Sequence, residues 1–370
     1  LRAIIRFFSP LPIGLATSHK QSVQSDPSAV PPDVATVLRD QNWFPHHLRA
    51  DSGAIEFVHL PRAAHRAVTF LSDEYFDAAA PRMSCALRDV IPAAGLLPAQ
   101  PLHFIFHSAF CGSTLLTRLF DIEGVSMGLK EPAGLNDLAD IVRRSGRRTD
   151  IKPALAALLA LYARPFAPGE TVIVKPSNAA NAVIDDALSI RPSARALLLH
   201  SPLPAFLRSL ASKGLFARVW ARKLGAELDM LREINPGFSD QERWLQTDLQ
   251  VAALAWLQQH AQFARIVRTH GSRVRTVDSK ALLADLPAGM GALADLFELD
   301  RAALDAAAHS PARFEDSKRH ERAFDAEARE SEQAAAQDAY GEEIDKIVVW
   351  AEAVAQHCGV PMVLGAPLLG

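Results

Sequence analysis

Residues 101–120 read PLHFIFHSAFCGSTLLTRLF, an apolar run followed by a small-residue turn and an amphipathic stretch. The segment LHFIF (102–106) has the composition of a buried strand, Gly112-Ser113-Thr114 that of a tight turn, and LLTRLF (115–120) that of a helix. A strand entering a helix through such a turn converges backbone N–H groups on one point, which suits an anion. The nucleotide-triphosphatase form of this loop reads G-x-x-x-x-G-K-[ST] and sets its lysine on the β- and γ-phosphates. Here Phe110, Cys111 and Gly112 precede Ser113, so that lysine is missing. Which anion the loop holds, and which cation serves it, must be decided elsewhere in the chain.

Working outward, short apolar runs alternate with helical patterns, as expected of a parallel sheet covered by helices. The predicted strands are 102–106, 125–129, 171–174, 194–199 and 273–277, several of them continuously apolar as strands buried on both faces must be. Helices are expected over 151–163, 180–190, 203–213 and 241–268. In the last of these Trp244, Leu249, Ala253, Trp256, Leu257 and Phe263 recur near helical spacing and are expected in the core.

Upstream, 33–41 has a helical pattern and 42–60 reads as two short strands around an Asp51-Ser52-Gly53 turn. Downstream, the charged, alanine-rich tail from His320 predicts a long helix, or two with a break near Gly341. The expected fold is therefore α/β: a P-loop-type parallel sheet flanked by helices (96–310), a small accessory region (31–95), a helical extension (311–370) and a flexible start (1–30).

The 370 residues suffice for a large core, and 49% hydrophobic with 22% charged residues describes an ordered chain. A net charge of −3 gives no basic excess for nucleic-acid binding, so any anion site must be local. Cys85, Cys111 and Cys358 show neither metal-ligand spacing nor a disulfide framework, which fits a reducing, cytoplasmic setting. No apolar run is long enough to span a membrane. Arg2 and Arg6 before an apolar patch faintly imitate a signal peptide, but Pro10 and Pro12 break the patch. The pair His46-His47 invites a metal reading, yet no Asp, Glu or Cys ligand accompanies it locally, so no metal is expected.

Ligands of open parallel sheets bind beyond the carboxyl ends of the strands. That rule selects the loop itself, Lys130-Glu131-Pro132, Lys175-Pro176-Ser177-Asn178, His200-Ser201-Pro202 and Asp278-Ser279-Lys280. Two lysines and a carboxylate would then face the loop without adjoining it in sequence. Asp278 also permits a Walker B reading, although RVRTVD is only half apolar. Cys111, at a helix start, is either a reactive thiol or a small residue filling the turn.

These residues carry a family resemblance. GSTLLTRLFDIEGVSMGLKEP (112–132) resembles the opening of sulfotransferases that use 3′-phosphoadenosine 5′-phosphosulfate (PAPS), especially a bacterial branch whose loop reads R-S-G-S-T-L-L and is followed by a strand and a glutamate. Residues 171–214 are similar to the family's second block, with a strand ending in Lys-[ST]-Pro, then a strand, Arg-[Asp/Asn]-Pro and a serine-bearing helix; 277–297 occupy the place of its Tyr-Glu-Asp-Leu block. The resemblance covers about 102–300. It implies that Gly112, Ser113 and Thr114, with Ser108 and Cys111 in the same loop, hold the 5′-phosphosulfate. It further implies that Glu131 is the general base, that Lys175 steadies charge on the transferring group, that PAPS is the co-substrate without a metal, and that the acceptor is a small molecule, sugar or peptide.

Two positions depart from the pattern. Phe110 stands where the loop carries Lys or Arg, and His200 where an arginine grips the 3′-phosphate. Lys130 is the candidate replacement for the first, and Arg208, Ser209 or Lys213 for the second. Two other readings stay open: a nucleotide-dependent kinase or phosphotransferase, and an inactive P-loop module that binds a nucleotide or a protein.

Overall fold

The computed structural model describes residues 31–310 and 326–369; the start expected to be flexible, 1–30, lies outside the described residues. Among the described residues, eight strands form two sheets: β1 (Trp43–Arg49), β2 (Ala54–His59) and β3 (Arg82–Ala86) make an antiparallel accessory sheet. The strands β4 (Leu102–His107), β5 (Ser126–Lys130), β6 (Thr171–Lys175), β7 (Ala196–His200) and β8 (Val274–Asp278) make a parallel sheet in the order β5-β6-β4-β7-β8. All five strands expected of this sheet are present, and β4 to β7 are buried along their whole length. Continuous burial is what their unbroken apolar sequences require.

Side-chain alternation divides the sheet's two faces. Phe104, Phe106, Val172, Val174 and Leu198 share one core with Phe44, Phe57 and Val90 of the accessory region. Ile105, Ile173, Leu197 and Val277 face the other way, onto Leu115 and Leu119 of the helix Ser113–Leu119 and Leu293 of the helix Leu286–Phe297. A third core joins the helices Leu203–Ala211, Gly214–Asp229, Asp248–His270 and Ala326–Cys358.

One helical expectation is corrected, and of the two readings left open for the tail the single long helix is observed. The stretch 241–268 is two helices, Asp240–Leu245 and Asp248–His270, because Thr247 caps the second: its Oγ1 accepts the Gln250 N–H at 3.2 Å and Gln250 Oε1 accepts the Thr247 N–H at 2.9 Å. Trp244 therefore falls on the short first helix and is 83% exposed, while Leu249, Ala253, Trp256, Leu257 and Phe263 are buried as expected. The tail forms one helix, Ala326–Cys358, that runs through Gly341 without a break. Beyond it the chain returns to β8, where Thr276 N–H donates to Ala366 O at 2.9 Å and Leu368 N–H to Thr276 O at 2.7 Å. No helix among the described residues is long and apolar enough to cross a membrane.

Candidate functional site

The loop strand β4 lies at the centre of the sheet, between β6 and β7. Their carboxyl ends place Lys175 and His200 on either side of the loop, with Lys130 and Asp278 at the ends of the outer strands. Ala109, Phe110 and Gly112 all have positive φ, at 71°, 51° and 77°. Two of the three are not glycine, and such a conformation costs energy unless the surroundings enforce it. His107 enforces part of it, since its Nδ1 accepts the Ala109 N–H at 3.1 Å and its Nε2 donates to Pro176 O at 3.1 Å. Ser108 contributes from beneath: its Oγ accepts the Ser201 N–H at 3.3 Å, and Ser201 Oγ reaches Phe110 O at 3.3 Å. A change from negative to positive φ, as from Cys111 to Gly112, is the conformation in which successive backbone N–H groups can form an anion nest.

Ser113 and Thr114 open the helix beyond the nest and are buried. Cys111 is 1% exposed and packs with Ile105 and Leu115, so its thiol fills the turn.

Glu131 and Lys175 meet beside this loop. Lys175 is fully buried, and its ammonium makes a close ion pair with Glu131 Oε1 and lies 3.5 Å from Thr114 Oγ1. Glu131 itself takes a left-handed φ of 55°, and its N–H donates to Lys175 O at 2.7 Å, which continues the β5–β6 ladder by one bond. Its carboxylate keeps 22% exposure and stands 3.8 Å from His107 Nε2. A carboxylate open to solvent on one side and bound to a buried ammonium on the other can accept a proton from a visiting hydroxyl. The ammonium can meanwhile turn to an anion in the loop.

Lys130, expected to replace the loop's cation, is placed elsewhere. Its ammonium donates to His65 O, Arg66 O and Val68 O at 3.0, 3.0 and 2.6 Å, the frayed carbonyls that end the helix Arg62–Ala67. Burial pulls its pKa down to about 8, with the nearby Arg118 adding to the effect. Adjacent strand residues point to opposite faces, so Lys130 and Glu131 could not both face the loop from a regular strand.

On the other side, Lys213 Nζ stands over the Phe110 ring, 5.1 Å from its centroid, and donates to Ser209 O at 3.1 Å. Phe110 also packs edge-on against Trp220, so the aromatic residue in the lysine's place belongs to a helix core and has a cation resting on it. Arg208 Nη1 donates to Gln337 Oε1 at 3.1 Å, and Ser209 is buried. The fold thus brings Lys213 against the loop and ties Arg208 to the C-terminal helix. Burial holds His200 below the usual histidine pKa, with the Asp278 carboxylate opposing, and its Nδ1 has no hydrogen-bond partner among the described residues. A cavity of about 360 Å³ opens beyond His200, between Trp256, Asp278, Glu352 and Val363.

Three site residues escape the strand-end rule. His107 is the last residue of β4, inside the motif itself, and its role as a brace was legible only from the fold. Phe70 and Tyr75 come from the accessory region: the Phe70 ring lies 5.2 Å from Lys175 Nζ, and Tyr75 packs edge-on against Phe70 at 5.5 Å. Partial burial and the carboxylates of Glu74 and Glu131 raise the Tyr75 phenol above its ordinary pKa. No sequence signal joins 70–75 to 131 and 175.

No family model and no curated protein matches the chain. Among solved structures it is similar to a sulfotransferase domain from the curacin biosynthetic pathway, with 12% identity, 59% of this chain and 77% of that one covered, and a TM-score of 0.38. It is also similar to sulfotransferase STF9 from Mycobacterium avium, with 14% identity, 69% and 79% covered, and a TM-score of 0.40. At such values the activity has to be read from the chain's own residues.

Proposed function

We propose that the chain is a sulfotransferase that moves a sulfuryl group from PAPS to a hydroxyl or amine of a small molecule, sugar or peptide. The observation that carries this reading is the Glu131–Lys175 pair set against Thr114 at the mouth of a lysine-free anion nest. The nest takes the 5′-phosphosulfate on N–H groups of 109–114 and the hydroxyls of Ser113 and Thr114. Glu131 accepts the proton of the acceptor hydroxyl as its oxygen bonds to sulfur, and the bond from sulfur to the phosphate oxygen breaks on the opposite side. The electron pair leaves with 3′-phosphoadenosine 5′-phosphate, and Lys175 neutralises the charge that grows there. Phe70 and Tyr75 form an aromatic wall on the acceptor side of Glu131.

The residues fit the two ends of the nucleotide unequally. The 5′ end meets the nest and a buried ammonium. The cavity beyond His200 offers space on the nucleoside side, but His200 and Asp278 give its inner rim no positive charge. Arg208 and Lys213, on the helix after β7 and at its end, are the cations assigned to the 3′-phosphate.

A kinase reading requires a magnesium-binding carboxylate near the loop. The carboxylate beside the loop, Glu131, is taken up in the ion pair with Lys175, and Asp278 lies at the end of the outer strand β8, where its Oδ1 accepts the Lys280 N–H at 2.6 Å. Phe110 and His200 favour the remaining reading, an inactive nucleotide-binding module, because each takes a cation from a highly charged ligand.

Thermal unfolding with 3′-phosphoadenosine 5′-phosphate, with ATP and Mg²⁺, and with neither separates the three. A rise in Tm with the bisphosphate alone is expected. A rise with ATP and Mg²⁺ alone would transfer the assignment to a kinase, and no rise with either would remove the nucleotide.

A further inference from the structure

The accessory sheet holds a second cluster of titratable side chains, apart from the loop. His46 and His47 are consecutive in β1, and consecutive strand residues ordinarily face opposite ways. The β1–β2 register slips between Pro45 and His47, leaving His46 as the extra residue of a bulge. Bulges re-aim side chains, and this one turns both imidazoles to the same side, with ring centroids 4.1 Å apart. Both converge on one carboxylate: His46 Nε2 lies 2.8 Å from Asp73 Oδ1 and His47 Nε2 lies 3.2 Å from Asp73 Oδ2. The three ligand groups lie within 4.8 Å of one another.

We propose that His46, His47 and Asp73 form a binding site for a divalent transition-metal ion such as zinc, with Nε2 of each imidazole and Oδ2 of Asp73 as ligands. Two imidazoles and a carboxylate are a donor set that suits zinc. The surroundings match what such a set needs. Asp137 Oδ2 lies 2.8 Å from His47 Nδ1 and also accepts the Leu48 N–H at 2.8 Å, so a carboxylate behind the imidazole fixes its orientation and leaves Nε2 for the ion. Arg82 Nη2 donates to Asp73 Oδ1 at 2.7 Å, which holds that oxygen and leaves Oδ2 as the ligand. Among the described residues no hydrogen bond pins His46 Nδ1, so the ring proton can sit there while Nε2 ligates. His46 is fully buried, whereas the Asp73 side chain is 48% exposed, which gives the ion an entrance and a solvent position.

Such an ion would fasten β1 to the turn Asp73–Tyr75 and, through Asp137, to the helix Ala133–Ser145. In sequence only the His46-His47 pair hints at this, because the carboxylate that completes the set is 26 residues from His47.

The test is titration of chelator-stripped full-length protein with ZnCl₂ by calorimetry, and with CoCl₂ by visible absorption. One equivalent of Zn²⁺ is expected to bind with a Kd at or below about 1 μM, and Co²⁺ is expected to give ligand-field bands. Asp137→Asn should weaken binding by about 10–100-fold, and His309→Ala, on a distant exposed helix, should leave it unchanged. His47→Gln keeps a polar partner for Asp137 and should abolish stoichiometric binding while far-UV circular dichroism remains native. Absence of saturable Zn²⁺ uptake by the wild-type chain, or uptake by His47→Gln equal to wild type, overturns the proposal.

Discussion

Glu131 and Lys130 are neighbours in sequence with opposite fates, and substitutions separate their roles. Glu131→Gln retains the size and hydrogen bonding of the side chain but cannot take a proton. Turnover with PAPS and an acceptor should fall by at least about 100-fold, while the bisphosphate still raises Tm; unchanged turnover would remove Glu131 as the base. Lys130→Met should do the reverse. It strands three carbonyls at the end of the helix Arg62–Ala67, one buried and two part-buried, a loss of about 1–3 kcal/mol readable in urea denaturation. Bisphosphate binding per folded molecule should stay at the wild-type level. The strand-end rule could nominate both residues, but it could not say which faced the loop. That depended on the left-handed turn at Glu131, and only a three-dimensional packing argument decides such a φ in a residue other than glycine.

At the scale of elements, the loop helix is held by a contact that admits no side chain. A Cβ on Gly128 of β5 would lie 2.3 Å from Thr117 O in the helix Ser113–Leu119. Since neither strand nor helix backbone can yield cheaply, Gly128→Ala should displace that helix, lowering stability by about 1–3 kcal/mol and weakening bisphosphate binding beyond the loss in folding. Nuclear magnetic resonance shifts of 110–119 that match wild type would contradict this. The five parallel strands were legible because burial on both faces leaves a continuous apolar signature. The strand Arg82–Ala86 was not, since only Cys85 in it is buried. The helix Gly214–Asp229 was also missed: it buries Ala217, Ala221, Leu224 and Leu228, yet exposed Leu215, Phe216 and Val219 blur the period. Trp244 misled for the same reason, because an exposed aromatic at the right spacing is indistinguishable in sequence from a buried one.

Across the whole molecule, several histidines are buried without charge. Burial lowers His65 to about 3, chiefly with help from the Lys130 charge, and lowers His103 to about 4; it sets His260, stacked on Trp256, well below the ordinary value. In the unfolded chain all three take up protons near pH 6.5, whereas the folded chain resists. The unfolded state then binds more protons, so stability is complete above pH 6.5 and falls as pH drops toward 4. Each histidine contributes a slope of about 1.4 kcal/mol per pH unit in that window. Denaturation midpoints that stay level from pH 7 to 5 would mean that these side chains are charged in the native state.

The strand-like return of 365–368 onto β8 also bears on how the protein behaves in concentrated solution. β8 is the last strand of its sheet, and a bare edge is a template on which another chain can add a strand. By taking up both the N–H and the carbonyl of Thr276, the final residues occupy part of that template within the same molecule. A chain ending at Val360 is therefore expected to self-associate through β8, with dimers or larger species growing in gel filtration as concentration rises, even though the loop, Glu131 and Lys175 are untouched.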